Sequence, residues 1–362
     1  MARPIVLVTG ATGYIAMHVV QQLLQGGGYR VRGTVRSLKN NAKVDALKAL
    51  APTGDNPLQL MEADLLEGGR VWERAVHSCT FVIHTASPFP TEEPRDEKEV
   101  VTPAVAGTVN VLQACSVTDG VQRVVLTSSV VAVSGTTGAD DGSKVYTERD
   151  WPHSVSHLSA YAKSKVLAEQ KAWAFVKALP PERRFELTVI NPSYVMGPVL
   201  SGSVSSGSMV LPQRLLERQM PMIPHLNFPI VDVRDVATAH IRAMTAPQAA
   251  GERHLVHAAN IWLEDMAKLL ADEFGRHGYK QVPSKRAPYF VLWFASCCDR
   301  SLRSVLGLVD KQTTLDNTRM RYVLGIEPRD INATLIDMCY SMIDHGLIKK
   351  KSKYTGRENA TT

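Results

Sequence analysis

The sequence lacks a run of apolar residues long enough to cross a membrane. The longest strongly apolar stretch, from Pro288 to Cys298, has 11 residues, and a spanning helix needs roughly 20. We expect no signal peptide either, because residues 3–8 lead directly into a strand. We therefore predict no transmembrane segment.

Cysteine and the usual metal-ligand and hydrolase motifs are also scarce. The five cysteines are odd in number and form no CxxC or Cys/His spacing, which favours reduced thiols and a cytoplasmic location. The 11 histidines show no HExxH pattern, so we predict no metal site. No Gly-x-Ser-x-Gly lies between a strand and a helix, which argues against a serine hydrolase.

Excess charge is confined to the end of the chain. The net charge is +6, and residues 349–362 carry most of it as lysine and arginine. The rest of the chain is near neutral, which argues against nucleic-acid binding. We expect residues 349–362 to form a solvated, disordered tail.

Short apolar runs alternate with helical patterns through the first half of the chain. The predicted strands are Pro4–Thr9, Tyr29–Val35, Leu58–Ala63, Phe81–Thr85, Val121–Ser128 and Glu186–Asn191. Such alternation predicts a doubly wound, parallel α/β sheet of the Rossmann type. We assign residues 1–191 to this nucleotide-binding domain. Residues 192–348 form a smaller, mostly helical lobe that crosses back to the sheet near 228–260.

A glycine-rich turn follows the first predicted strand. Residues 4–16 read P-I-V-L-V-T-G-A-T-G-Y-I-A, with Gly10, Gly13 and Ala16 three residues apart. Gly10 permits the tight turn, Gly13 lets the backbone approach a pyrophosphate, and Ala16 allows close packing of helix on strand. Phosphates would bind at the N-terminus of the helix.

The residues after the second and third predicted strands bear on the choice of nucleotide. Arg36 stands where an NAD site would have an acid, and Lys39 and Lys43 follow. Cations suit the 2′-phosphate of NADP, although a solvated basic loop is the alternative. Asp64 could accept a hydrogen bond from the adenine amino group or act as a helix N-cap.

Hydroxyl groups end the fifth predicted strand, at Thr127, Ser128 and Ser129, and Tyr161 and Lys165 follow one helical turn apart. The unperturbed pKa of tyrosine, about 10, is high for proton transfer near neutrality. A nearby ammonium and an oxidised nicotinamide would both favour the phenolate. Either serine could hydrogen-bond a substrate carbonyl oxygen. This pattern predicts a carbonyl reductase in which Tyr161 donates the proton.

Nine segments in order resemble the extended short-chain dehydrogenases, within them the group of dihydroflavonol 4-reductase, cinnamoyl-CoA reductase and the yeast methylglyoxal and aldehyde reductases. These segments cover most of the chain. They include V-T-G-A-T-G-Y-I-A (8–16), R-V-V-L-T-S-S (123–129), Y-A-K-S-K-V-L-A-E-Q-K-A-W (161–173) and N-P-S-Y-V-M-G-P (191–198).

The resemblance implies a role for each matching residue. The catalytic residues would be Ser129, Tyr161 and Lys165. Cofactor contacts would fall on Gly10, Thr12, Gly13, Tyr14, Ile15, Arg36, Lys43, Asp64, Leu65, Thr85, Ala86, Ser87, Thr127, Tyr161, Lys165, Pro192 and Val195. Substrate contacts would fall on Phe89, Ser129 and Tyr194. We interpret Asn110 as a structural residue rather than part of a water relay, and His240 and Asp235 as packing and capping residues.

The sequence thus predicts an NADPH-dependent reductase of a small ketone or aldehyde, monomeric or weakly dimeric. A hydroxysteroid dehydrogenase or a sugar-nucleotide epimerase on the same fold is the alternative within enzymes. A catalytically silent NADP-sensing regulator is the alternative outside them. The substrate is not predicted, because residues 133–158 and 199–230, which would form the pocket rim, show no recognisable signature.

Overall fold

The computed structural model describes residues 3–51, 58–88, 96–135, 143–204, 206–298 and 306–357. Its centre is a sheet of seven parallel strands in the order β10-β7-β5-β4-β1-β2-β3. These strands are β1 (Ile5–Thr9), β2 (Arg30–Val35), β3 (Gln59–Glu62), β4 (Cys79–His84), β5 (Arg123–Thr127), β7 (Glu186–Pro192) and β10 (Arg253–Val256). The predicted doubly wound parallel fold is confirmed.

Helices connect these strands and cover both faces of the sheet. They are α1 (Tyr14–Gly26), α2 (Asn41–Lys48), α3 (Arg70–Val76), α4 (Lys98–Val117), α5 (Val131–Ser134) and α6 (Ala160–Ala178). Successive residues of β1 point to opposite faces: Val6 and Val8 belong to one buried cluster, and Leu7 belongs to the other. Burial on both faces explains why the strands are apolar throughout rather than alternating.

The lobe adds helices, one small sheet of its own and one strand of a second small sheet. Its helices are α7 (Val210–Leu216), α8 (Val233–Ala243), α9 (Leu263–Phe274), α10 (Tyr289–Cys298), and the two helices Thr318–Tyr322 and Ile331–Asp344. One small sheet has the order β11-β9-β8, and the other pairs β12 with β6. These strands are β6 (Val145–Tyr146), β8 (Tyr194–Met196), β9 (Asn227–Asp232), β11 (Ala259–Trp262) and β12 (Thr314–Leu315).

The chain crosses back from the lobe to the main sheet through β9, α8 and β10. Asp232 caps α8 by accepting a hydrogen bond from the backbone N–H of Arg234, 2.7 Å away. Strand β10 then pairs in parallel with β7 and completes one edge of the sheet. Strand β10 therefore extends the nucleotide-binding sheet, although it lies in sequence within the lobe.

The end of the described chain differs from the solvated tail that we expected for residues 349–362. Tyr354 is buried, and its hydroxyl donates to Asp344 Oδ1 at 2.8 Å. Its ring lies 5.5 Å from the ring of His277. An aromatic anchor thus holds residues 349–357 against the lobe, although the lysines around it stay exposed.

One described helix, α4, meets the length and composition of a membrane span, and half of that stretch is buried within the fold. Cys79, Cys115 and Cys339 are free, buried thiols, and Cys297 is free and exposed.

Candidate active site

The glycine-rich turn forms an open cradle at the N-terminus of α1. Gly10 has φ +61°, and a Cβ there would lie 3.0 Å from the Cβ of Ala86, so any side chain would be both strained and crowded. Gly13 caps α1 with extended backbone and no side-chain hydrogen bond. The first-turn N–H groups are therefore open to an anion. Thr12 is half-buried beside them. The cradle fits a pyrophosphate.

The side chain of Tyr14 faces away from this cradle. Its hydroxyl donates to the carbonyl oxygen of Gly197 at 2.5 Å, and the ring is buried. The predicted cofactor contact of Tyr14 is thus limited to its backbone N–H. The side chain ties the start of α1 to the lobe. Ile15 is half-buried and packs on the same core.

Two cations lie beyond the end of β2. Arg36 is exposed and directly follows the strand, and Lys43 lies in the first turn of α2 and is half-buried. Among the described residues, neither side chain has an ion-pair partner. Both are thus available for a phosphate on the ribose.

The loop after β3 is held rigidly. Asp64 Oδ1 accepts from the backbone N–H of Leu66 at 2.9 Å, and α3 begins only at residue 70, so Asp64 does not cap that helix. Asn110 donates from Nδ2 to the carbonyl oxygen of Leu65 at 2.8 Å. This contact gives Asn110 a structural role. Close approach to Gly107 also fixes Leu65, because a Cβ on that glycine would lie 2.9 Å from the Leu65 Cβ.

The segment after β4 joins the end of β1. Thr85 Oγ1 donates to the carbonyl oxygen of Thr9 at 2.5 Å, and the backbone N–H of Ala86 donates to Thr9 Oγ1 at 3.1 Å. Strand order reverses between β1 and β4, which leaves a crevice at the ends of these two strands. A crevice of this kind is the usual nucleotide site of a doubly wound sheet. Ser87 is half-buried beside it. Phe89 lies outside the described residues.

The three predicted catalytic side chains come together next to this crevice. Ser129 follows β5, and its side chain hydrogen-bonds the hydroxyl of Tyr161 on α6. Lys165 lies one turn later, with Nζ 5.7 Å from the centre of the Tyr161 ring. Ser129 and Lys165 are buried, and Tyr161 is half-buried.

Burial controls the proton affinities of this cluster. It raises the pKa of Tyr161 above 10, and the Ser129 hydrogen bond lowers it only in part. We expected the Lys165 ammonium together with an oxidised nicotinamide to favour the phenolate, and that joint effect stays a prediction. Among the protein's own contributions, burial outweighs the Ser129 hydrogen bond, so the pKa of Tyr161 is raised. Burial also lowers the pKa of Lys165 to about 8, against the opposing effect of the Glu169 charge.

Thr127 was predicted to contact the cofactor, but its hydroxyl is engaged elsewhere. Thr127 Oγ1 lies 2.7 Å from His240 Nε2, and His240 Nδ1 lies 2.7 Å from the carbonyl oxygen of Val236. His240 is fully buried and ties α8 to the end of β5. Within the described part of the chain, no group of three His, Cys, Asp or Glu side chains could hold a metal ion.

The residues after β7 close the other side of the cleft. Pro192 accepts a hydrogen bond from the backbone N–H of Val130 at 2.9 Å, and Val195 is buried in β8. Tyr194 is half-buried, its ring lies 5.6 Å from that of Phe228, and its charge would interact with that of Tyr161. The substrate contact expected of Tyr194 stays a prediction.

Three side chains that the sequence analysis did not single out lie directly behind the catalytic group, those of Glu169, Asn191 and Arg253. The Glu169 carboxylate binds the Ser128 hydroxyl at 2.5 Å, the Asn191 amide at 2.8 Å and Arg253 Nε at 2.6 Å. Glu169 is four residues after Lys165, so helical spacing was a usable signal for it. Arg253 is distant in sequence and gave no such signal.

A cavity of about 840 Å³ lies outside this site. It is lined in part by Trp151, Trp173, Arg253 and Arg319 and by none of the predicted site residues. It includes the two residues that precede β10, so it lies at the N-terminal ends of the parallel strands, away from the cleft.

Comparison with known proteins agrees with this geometry. The model of the NAD dependent epimerase/dehydratase family matches residues 6–259. The chain belongs to this family. Among its relatives, the NADPH-dependent methylglyoxal reductase GRE2 of Saccharomyces cerevisiae is 30% identical over 92% of this chain and 96% of its own length. The cinnamoyl-CoA reductase CAD2 of Medicago truncatula is 38% identical over 70% of this chain and 76% of its own.

Solved structures of this family have the same fold. The crystal structure of Gre2 in complex with NADPH from Candida albicans superposes with a TM-score of 0.77 and 30% identity, covering 94% of this chain and 99% of that one. The predicted resemblance to the extended short-chain dehydrogenases is confirmed.

Proposed function

We propose that this protein reduces a ketone or aldehyde to an alcohol with NADPH, and that Tyr161 donates the proton to the substrate oxygen. The observation that supports this proposal is the hydrogen bond of Tyr161 to Ser129 beside Lys165, where Ser129 follows β5 of the parallel sheet. The chain is an NADP-dependent oxidoreductase, as its reductase relatives are.

Bound NADPH would supply the hydride to the carbonyl carbon. The cradle from Gly10 to Ile15 would hold the pyrophosphate through backbone N–H groups. Arg36 and Lys43 would bind the 2′-phosphate, since both are cations without a described ion-pair partner.

The protein's own groups would handle the proton and the developing charge on oxygen. Ser129 and Tyr161 share a hydrogen bond, so a carbonyl oxygen placed between their hydroxyls can accept from both. A raised pKa keeps Tyr161 protonated at neutral pH, which is the form that a proton donor needs. The Lys165 ammonium would stabilise the phenolate left after proton transfer.

The substrate is proposed only as a class. Tyr194 and Phe89 are proposed to contact the substrate, as the resemblance to the reductases implies. The methylglyoxal and cinnamoyl-CoA reductases among the relatives suggest small aldehydes, α-dicarbonyls and aryl carbonyl compounds as first candidates.

The test is Tyr161→Phe, assayed by NADPH oxidation against a panel of aldehydes, α-dicarbonyls, ketones and dihydroflavonols. We expect turnover to fall by about 100-fold or more, because the proton donor is lost. Binding of NADPH, followed by fluorescence, should be unchanged. Tyr322→Phe is the matched control, because that side chain is 83% exposed. Undiminished turnover by Tyr161→Phe would remove the mechanism.

A further inference from the structure

A carboxylate with almost no exposure lies behind the catalytic group. Glu169 is 1% exposed. Its Oε2 accepts from Ser128 Oγ at 2.5 Å and Asn191 Nδ2 at 2.8 Å, and its Oε1 accepts from Arg253 Nε at 2.6 Å and Trp173 Nε1 at 3.3 Å. Every one of these partners donates a hydrogen bond to the carboxylate, and such donors stabilise a negative charge.

Arg253 balances this buried charge and is itself immobilised. Its guanidinium donates to the carbonyl oxygens of Asp150 at 2.6 Å and Ala132 at 3.0 Å, and it lies 3.8 Å from the ring centre of Trp151. A buried ion pair of this kind is often replaceable by apolar side chains without loss of stability. Stability alone is therefore a weak reason for the presence of the Glu169–Arg253 pair, which is also connected to two of the catalytic residues.

One connection runs from Glu169 to the backbone of Ser129. The Asn191 amide that donates to Glu169 also donates to the carbonyl oxygen of Ser129, 3.1 Å away. The carboxylate also holds the hydroxyl of the preceding residue, Ser128. Two adjacent residues of the catalytic loop are thus fixed by one anion.

The second connection is electrostatic and acts on Lys165. Among the described groups that face this ammonium, His84 on β4 has a pKa lowered to about 3 by burial and is neutral at pH 7. Tyr161, on the same helix, is protonated. Glu169, one turn further along α6, supplies the negative charge that favours the ammonium.

We propose that Glu169, held by Arg253, is a positioning residue for the reduction: it fixes Ser129 through Asn191 and supports the positive charge of Lys165. This inference rests on the proposed function of Ser129, Tyr161 and Lys165.

The first test is the pH profile of kcat for Glu169→Gln, which keeps the shape of the side chain and removes its charge. We expect kcat at pH 7 to fall between about 10- and 100-fold, with the KM for NADPH within about twofold, because Glu169 does not line the nucleotide cradle. Lys165 should lose its proton more easily, so the basic limb of the profile should move about one unit toward lower pH. An unmoved limb would overturn the proposal.

Asp235→Asn is the matched control. Asp235 is also 1% exposed and also pairs with an arginine, Arg329, but it has no contact with the catalytic group. Its loss should lower stability and leave the pH profile in place. An equal shift in both variants would mean that any buried carboxylate has this effect, which would contradict a specific role for Glu169.

Asn191→Ala separates the two roles and serves if Glu169→Gln does not fold. It keeps the Glu169 charge and removes the bridge to Ser129, so kcat should fall with the basic limb unmoved. Wild-type kcat in this variant would refute the bridge. Tyr161→Phe distinguishes the two hypotheses. If this variant still turns over, the proposed function is wrong, and the positioning role that rests on it is wrong too. If it is inactive and Glu169→Gln behaves as wild type, only the positioning role fails.

Discussion

The nucleotide-binding half and the lobe achieve burial in different ways. In β1, neighbouring side chains pack alternately into two clusters, so a local run of apolar residues is enough to define the strand. In the lobe, the ring of Phe274 lies 4.8 Å from that of Tyr340, and Tyr340 lies 6.1 Å from Tyr354. The first half depends on short-range pattern and the lobe on aromatic contacts between distant segments. The predicted catalytic residues Ser129, Tyr161 and Lys165 all lie in the first half.

Acid should act on both regions alike and so gives the largest expected effect. Burial lowers the pKa of His18, His240, His254 and His257 to about 4 and that of His84 to about 3. In the unfolded chain each would titrate near 6.5, so unfolding takes up protons below that pH and stability falls.

The contribution of these histidines to the free energy of unfolding is expected to be flat above about pH 7. It should then fall by more than about 1.4 kcal/mol per pH unit as the pH drops from 6.5 toward 4. Urea unfolding at pH 7.5, 6 and 5 measures this. Constant stability down to pH 5 would show that these histidines are not neutral in the folded protein.

Phe274→Ala tests whether the lobe depends on its aromatic cluster. Phe274 is fully buried, so the substitution should reduce the free energy of unfolding by about 3–5 kcal/mol. At a temperature where the variant is folded, kcat should stay near wild type. Phe294→Ala, at a residue 64% exposed, is the control for urea unfolding. A loss below about 1 kcal/mol at Phe274 would count against the comparison.

Arg36→Ala tests the nucleotide half without touching its core. Losing a charge-assisted contact to the 2′-phosphate should weaken NADPH by about 1.5–3 kcal/mol, or roughly 10- to 100-fold, and leave NADH unchanged. Arg30→Ala, at the exposed opposite end of β2, is the control. The measurement is a binding titration of each variant with NADPH and with NADH. Equal weakening of NADPH and NADH binding by Arg36→Ala would overturn the assignment of Arg36 to the 2′-phosphate.

Tyr14→Phe addresses the junction between the two regions. The lost hydroxyl leaves the Gly197 carbonyl oxygen without this partner, at a cost of about 1–2 kcal/mol in unfolding free energy. Thermal unfolding beside Tyr322→Phe measures it. If Tyr14→Phe is as stable as wild type, this hydrogen bond does not hold the junction together.

Much of the first half could be predicted because its signals are local. The predicted strands of the sheet agree with the structure to within two residues at each end, and the glycine turn is in its expected place. Helix α4 begins at Lys98 and continues past Pro103, which lies inside it beyond the first turn. Strand β10 was not among the predicted strands, although it lies within the predicted crossing back to the sheet near 228–260.

Side-chain direction was less accessible. Tyr14 is 183 residues from Gly197 and Thr127 is 113 residues from His240, so nothing near either residue indicates its partner. The lysines of the tail suggested solvation, yet one tyrosine among them anchors the segment. The substrate pocket stays unpredicted as well, because the two segments expected to form its rim, 133–158 and 199–230, are far apart in sequence.

Helix α1 has two attachments within its first five residues. Its N-terminus carries the N–H groups proposed to bind the phosphates, while the Tyr14 hydroxyl donates to the carbonyl oxygen of Gly197 and His18 lies 2.8 Å from that of Pro198. Gly197 and Pro198 lie near the start of the lobe, which would cover the substrate. The N–H groups proposed to bind phosphates and the side chains that hold the lobe thus lie within less than two turns of one helix, so any effect of nucleotide binding on the lobe would be matched by an equal effect of the lobe on nucleotide binding.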